Sequence, residues 1–192
     1  MKADMMKTRS IKHNGFTLIE VLIAVVILSI GLLGMAGIQI QGLRGTTSST
    51  MRSQATILAN DFAERAHVNF FAVPGAGQNA TYSNVDTSLI DCNALPATFC
   101  SVTPDIAAAD IPAGGCTTAQ MATYDIFVFA CGDTGNAGVN NLLPNSFATV
   151  TCDNAAAGCP IGSQLTININ WQEANPSDGA NVDKTVTMVF VP

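Results

Sequence analysis

The chain has 192 residues, of which 11% are charged and 48% are hydrophobic. An average soluble protein carries about 25% charged residues, so this composition disfavours a cytosolic enzyme and suits an extracytoplasmic assembly protein. The length allows one globular domain with an appended helix rather than two domains. The net charge of -6 disfavours nucleic-acid binding through a broad basic surface.

The basic residues are concentrated at the start of the chain. Half of the eight lie before Gly15, at Lys2, Lys7, Arg9 and Lys12, and the rest of the chain has four basic and thirteen acidic residues. Residues 21–43 carry no formal charge, and at about 1.5 Å per residue a helix of that length spans the ~30 Å hydrocarbon core. This asymmetry predicts a cytoplasmic N-terminus and export of the chain beyond Arg44.

A small polar break, His13-Asn14-Gly15, stands before the apolar run, whereas a secretory signal peptide has its cleavage site after it. Residues 12–34, KHNGFTLIEVLIAVVILSIGLLG, closely resemble the class III signal of type IV prepilins and pseudopilins. The resemblance implies cleavage between Gly15 and Phe16 by a prepilin peptidase, N-methylation of Phe16 and retention of the helix. A glycine before the scissile bond suits a narrow peptidase site because it has no side chain.

Glu20 is the single charged residue inside the apolar segment. An unpaired carboxylate within a membrane costs about 2.5 kcal/mol or more, so a partner is expected. The resemblance names that partner as the amino terminus of a neighbouring subunit. The alternative is that Glu20, near the helix start, reaches the headgroups and interacts favourably with the helix dipole.

Gly31, Gly34 and Gly37 recur at every third position of the apolar segment. Small residues on one stripe permit close helix packing in membranes, and that is the role we expect for them. Each glycine also weakens the helix, so a locally loosened helix, as in pilins, is the alternative.

An amphipathic helix should continue beyond Arg44, because apolar residues recur at Met51, Ala55, Leu58 and Phe62. Asp61 and Arg65 lie off this stripe, at a spacing that supports a helix. The breakers Val73-Pro74-Gly75-Ala76-Gly77 predict a helix end near Phe70. These boundaries divide the chain into a leader (1–15), a membrane and filament-core helix (16–43), an amphipathic continuation (44–71) and a head (72–192).

The head is predicted to contain an antiparallel sheet. Residues 83–122 form a loop-rich insert, Tyr124–Ala130 (YDIFVFA) a strand and Phe147–Thr151 another. Residues 163–191 form a hairpin, because apolar and polar residues alternate on both sides of the turn residues 175–179. The amphipathic helix should cover the apolar face of this sheet, giving an α+β architecture, which is also the pilin fold that the resemblance implies.

Six cysteines lie between residues 92 and 159 without zinc-like spacing, at Cys92, Cys100, Cys116, Cys131, Cys152 and Cys159. They predict disulfides in an oxidising compartment. Six cysteines allow fifteen pairings, of which the short loop favours Cys152 with Cys159.

No catalytic, cofactor or metal site is predicted. His67 is the single histidine after the leader and is expected on a helix surface, with no triad or HExxH motif and no phosphate-binding loop. Asp133 with Asn136, or Asp178 with Asn181 and Asp183, could bind calcium, but neither matches an EF-hand, and plain turns are favoured.

Residues 57–69, ILANDFAERAHVN, and the strand LTININWQE resemble PilV-type minor pilins. This resemblance implies a minor pilin that primes type IV pilus assembly, in adhesion and twitching motility. The implied partners are other minor and major pilins, the prepilin peptidase and the inner-membrane assembly platform. The alternatives are a minor pseudopilin of type II secretion, a major pilin, a competence pilin that captures DNA, and a membrane-anchored periplasmic enzyme.

Overall fold

The computed structural model describes residues 15–71, 79–102, 110–133, 135–160, 162–175 and 179–192. The basic residues of the leader, His13, Asn14, the breakers at 73–77 and Asp178 lie outside these ranges. The chain splits into two compact units, Met1–Gly45 and Thr46–Pro192, each of which is treated separately below.

Helix α1 runs from Leu18–Phe71, so its C-terminal end falls within one residue of the predicted end. In the first unit its large apolar side chains are exposed, from Leu18 to Leu43. Helix α2 follows at Asn79–Tyr82, and a short 3-10 turn occupies Thr87–Leu89.

The sheet has four antiparallel strands in the order β1-β2-β3-β4. They are β1 (Val85–Asp86), β2 (Phe147–Cys152), β3 (Leu165–Ala174) and β4 (Asn181–Phe190). Strands β3 and β4 pair along their full length, from Leu165 opposite Phe190 to Ala174 opposite Asn181. The structure thus confirms the predicted hairpin and the strand at Phe147.

The prediction of a strand over Tyr124–Ala130 is wrong, because this segment lies in helix α3, Thr118–Cys131. Thr117 and Gln120 form a capping box at its start, and Gly132, with a φ of 80°, ends it. Residues 127–131 are all buried, so the second half of the helix has no exposed polar face from which a helical period could be recognised. The insert at 83–122 is also more ordered than expected, since it contains β1 and the start of α3. A one-turn helix, α4, follows at Val139–Leu142.

The core of the second unit forms where α1 covers the sheet, as predicted. The helix contributes a stripe of buried side chains: Ala55, Ala59, Phe62, Ala63 and Ala66. They join one cluster with Ile167 and Ile169 of β3 and Phe129 of α3, whose ring centroid lies 4.4 Å from that of Phe62. Burial of a contiguous apolar stripe against a sheet face is the main force holding an α+β layer together.

Candidate functional site

The predicted processing site lies at the start of α1. Gly15, Phe16 and Thr17 precede the helix, and Phe16 is 82% exposed. The backbone N–H groups of Glu20 and Val21 donate to the carbonyl oxygen of Thr17, which closes the first turn. The scissile bond proposed from the sequence therefore lies in accessible, non-helical backbone beside a helix start.

Glu20 lies in the first helical turn and is exposed. Within the described residues no ion pair involves Glu20. A carboxylate at this position interacts favourably with the helix dipole, but that effect is typically about 0.3–1 kcal/mol, which is less than the cost of placing it in a membrane. The geometry leaves the carboxylate available to a group from another molecule.

By length and composition, α1 can cross a membrane. Its most apolar window has a mean hydropathy of 2.7, and none of that window is buried. Apart from the adjacent backbone of α1 itself, a Cβ added at Gly31, Gly34 or Gly37 would meet no atom of the described residues within 4 Å. No contact within the described chain explains these glycines, so packing against another helix stays a prediction.

All six cysteines are paired. The disulfides join Cys92 to Cys131, Cys100 to Cys116, and Cys152 to Cys159, the last being the pair that the short spacing favours. The first ties the segment after β1 to the end of α3, and the second closes a loop inside it. The third closes the turn after β2.

Sequence reasoning missed a buried polar network between α1, α2 and α3. Tyr82 donates a 2.6 Å hydrogen bond to Oδ2 of Asp125, which is 3% exposed. Asn69 donates to the Tyr82 hydroxyl at 2.8 Å and to the carbonyl of Thr118 at 2.9 Å. Arg65 reaches Oδ1 of Asp125 at 3.8 Å and bonds Asp61 at 2.8 Å. In the sequence, the spacing of Asp61 and Arg65 is the one feature that indicated a contact of this network.

Burial dominates the electrostatics of this network. It raises the pKa of Asp125 above its ordinary value, although the Tyr82 hydrogen bond and the charge of Arg65 oppose that shift. Burial, followed by the hydrogen bond to Asp125, also raises the pKa of Tyr82. The raised pKa of Tyr82 keeps its phenol neutral, and the neutral phenol is the form that donates to the carboxylate of Asp125. The network therefore links α1, α2 and α3 through buried hydrogen bonds.

The remaining residues considered from the sequence as catalytic or calcium-binding candidates do not form a site among the described residues. His67 is exposed on α1, as expected. One carboxylate oxygen of Asp133 is buried and has no hydrogen-bond partner among the described residues. Asn136 is exposed, and Asp183 accepts a hydrogen bond from Gln172 at 2.9 Å. Across the described ranges there is no group of three or more His, Cys, Asp or Glu side chains that could hold a metal ion.

Comparison with known families gives two matches, one over the start of α1 and one from the rest of α1 into α3. Residues 11–36 match the prokaryotic N-terminal methylation motif, and residues 37–127 match the family described as type IV pilin Tt1218. No curated protein and no solved structure shows significant similarity to the chain. The first match covers Gly15, Phe16, Glu20, Gly31 and Gly34, and the second covers Gly37 and the polar network from Arg65 to Asp125.

Proposed function

Since the chain belongs to the type IV pilin-like proteins, we propose that it is a minor pilin that helps to prime and assemble type IV pili, in adhesion and twitching motility. The observation that carries this proposal is the accessible Gly15–Phe16 junction directly before an exposed apolar helix with a single carboxylate at Glu20. The family is structural, and assembly rather than catalysis is the activity we assign. Resemblance to PilV-type pilins in residues 57–69 supports the minor-pilin role.

The maturation that we propose has three steps. The basic leader stays in the cytoplasm while α1 enters the inner membrane and the second unit reaches the periplasm. Prepilin peptidase cuts after Gly15, and the new Phe16 amine is methylated. Glu20 then pairs with the amine of a neighbouring pilin, which removes the cost of its isolated charge as the assembly platform adds subunits. Gly31, Gly34 and Gly37 let neighbouring helices approach closely.

Processing is tested by the intact mass of the purified protein. We expect a mature chain that begins at methylated Phe16, and Gly15→Leu should leave the full-length precursor. Gly31→Leu is the matched control, because it makes the same change in the retained helix and should leave cleavage unaffected. A wild-type protein that still starts at Met1 would refute the proposal.

Assembly is tested at Glu20 with the processed protein. Glu20→Gln should keep membrane insertion, cleavage and disulfides but should reduce incorporation into pili by about tenfold or more, since roughly 1.4 kcal/mol per contact suffices. Glu64→Gln changes an exposed glutamate of the same helix and should assemble normally. Equal incorporation of both variants would show that the Glu20 charge plays no part.

The second candidate is a minor pseudopilin of type II secretion, which has the same class of leader. The 177 residues after Gly15 and the three disulfides favour the pilus, since many minor pseudopilins have smaller heads. A deletion strain should lose surface pili and twitching while it still secretes type II substrates. Loss of secretion with normal pili would assign the chain to the secretion system.

A further inference from the structure

Strand β4 forms one edge of the sheet. In the described part of the chain, its sheet neighbour is β3 alone, and it is as long as β3, at ten residues. A strand at an edge leaves alternate N–H and C=O groups unpaired by the sheet, and proteins protect such edges with charges, proline or short strands. Here the charges are confined to Asp183 and Lys184, and residues 185–190 (TVTMVF) have none. Within the described residues, this half of the strand therefore has none of the charges that usually protect an edge.

The apolar core is also incompletely covered along this edge. Val186, Met188 and Phe190 are only partly buried, although their partners on β3, Ile169, Ile167 and Leu165, are fully buried. Side chains alternate across a strand, so an additional strand beyond β4 would place every second side chain beside these three residues. Apolar side chains at those positions would complete the burial.

A groove runs between β4 and the flank of α1, within the second unit. It has a volume of about 360 Å³ and is lined by residues 185–188 of β4 and by Arg52, Thr56, Ala59 and Asn60 of α1. Arg52 is exposed and is one of only four basic residues after Gly15. A chain lying in this groove would find an unpaired strand on one side and a cationic, hydrogen-bonding helix flank on the other.

We propose that the β4 edge accepts an extended segment of another protein as an additional strand of the sheet. The segment has apolar residues at alternate positions, facing Val186, Met188 and Phe190, and a carboxylate that reaches Arg52. Main-chain hydrogen bonds supply the affinity and the side-chain pattern supplies the specificity, as in other cases of strand addition. The inference holds whichever filament the chain joins.

The test uses the full chain in detergent micelles and a synthetic peptide, LTININWQEA. This peptide copies β3, which already pairs with β4, and it offers alternating apolar residues and a carboxylate. Hydrogen exchange of backbone amides should slow in residues 185–190 when the peptide is added and should stay unchanged in β2. A copy N-methylated at alternate residues lacks the required donors and should bind at least about tenfold more weakly.

Arg52→Gln tests the position of the carboxylate and should weaken binding of the peptide by about two- to fivefold, the range of one exposed charge pair. Arg44→Gln makes the same charge change in the first unit and should have no effect. Equal protection by the methylated peptide, or equal protection of β2, would overturn the proposal. So would protection of residues 185–190 without peptide that disappears on dilution, because a second copy would then occupy the edge.

Discussion

The two fully buried tyrosines differ in what their hydroxyl groups do. The hydroxyl of Tyr82 joins Asn69 to Asp125, while that of Tyr124 has at most a weak interaction with Ser101 among the described residues. Tyr82→Phe should therefore lower the free energy of unfolding by about 1–3 kcal/mol, because it leaves a buried carboxylate without its donor. Tyr124→Phe should change it by less than about 0.5 kcal/mol. Urea unfolding measures both, and equal losses would contradict the network.

Asp125 predicts a pH dependence of stability. Because burial raises its pKa in the folded state above the ordinary 3.8, the folded chain binds the proton more tightly than the unfolded chain. Its contribution to stability is therefore largest below pH 3.8 and is lost as the pH rises through the raised pKa. Relative to Asp125→Asn, the wild type should become less stable over that interval and then level off.

The measurement is the free energy of unfolding of both proteins at a series of pH values. The groups that face Asp125 are Tyr82 of α2 and Arg65 and Asp61 of α1, and all remain in the variant. A difference between the two proteins that rises with pH would mean that the Arg65 charge outweighs burial.

Helix α3 depends on its N-cap. The Thr117 hydroxyl accepts from the N–H of Gln120, and the Gln120 side chain accepts from the N–H of Thr117. Thr117→Ala should cost about 1 kcal/mol of stability. Thr123→Ala removes another exposed threonine of the same helix, whose hydroxyl only bonds back to Ala119, and should be neutral or slightly stabilising. Thermal unfolding distinguishes the two, and equal shifts would show that the cap adds nothing.

The elements differ in how far the sequence predicts them. Strand β3 alternates buried and less buried side chains, and the second half of β4 alternates partly buried and exposed ones, so both strands show a period of two. The segment 124–130 misleads because aromatic and β-branched residues favour strands and because its surroundings bury most of it. The capping box at Thr117 and Gln120 was the available signal for a helix. The burial of Ala59, Ala63 and Ala66 was also not predicted. Alanine is only weakly hydrophobic, so it does not stand out in a search for an apolar stripe, although here it belongs to one.

At the scale of the whole molecule, the two units have different roles: the first holds the proposed processing and assembly residues, and the second holds the core. All members of the main core cluster lie beyond Gly45, from Ala55 to Trp171. We therefore expect a chain that begins at Thr46 to be soluble, to form the same three disulfides and to unfold cooperatively. Its Tm should lie within about 4 °C of the full chain in detergent, a shift that corresponds to roughly 1 kcal/mol at this size. Peptide mapping and calorimetry check this, and a fragment without a cooperative transition would contradict it.

The residues of the candidate site also differ in how far the sequence predicts them. The proposed processing and assembly residues, Gly15, Phe16 and Glu20, lie within six consecutive positions, so the sequence alone was enough to propose them. The network of Arg65, Asn69, Tyr82 and Asp125 spans sixty residues and three helices, and nothing local in the sequence brings these side chains together.

The disulfides have a mechanical consequence for a subunit under load. The loop closed by Cys100 and Cys116 lies inside the one closed by Cys92 and Cys131, whose cysteines are 39 positions apart. At about 3.6 Å per residue, that outer bridge shortens the maximum extension of a chain pulled at its ends by roughly 140 Å. A head unfolded by tension would extend only through the residues outside its bridges, and the segment between Cys92 and Cys131 would add no length to it.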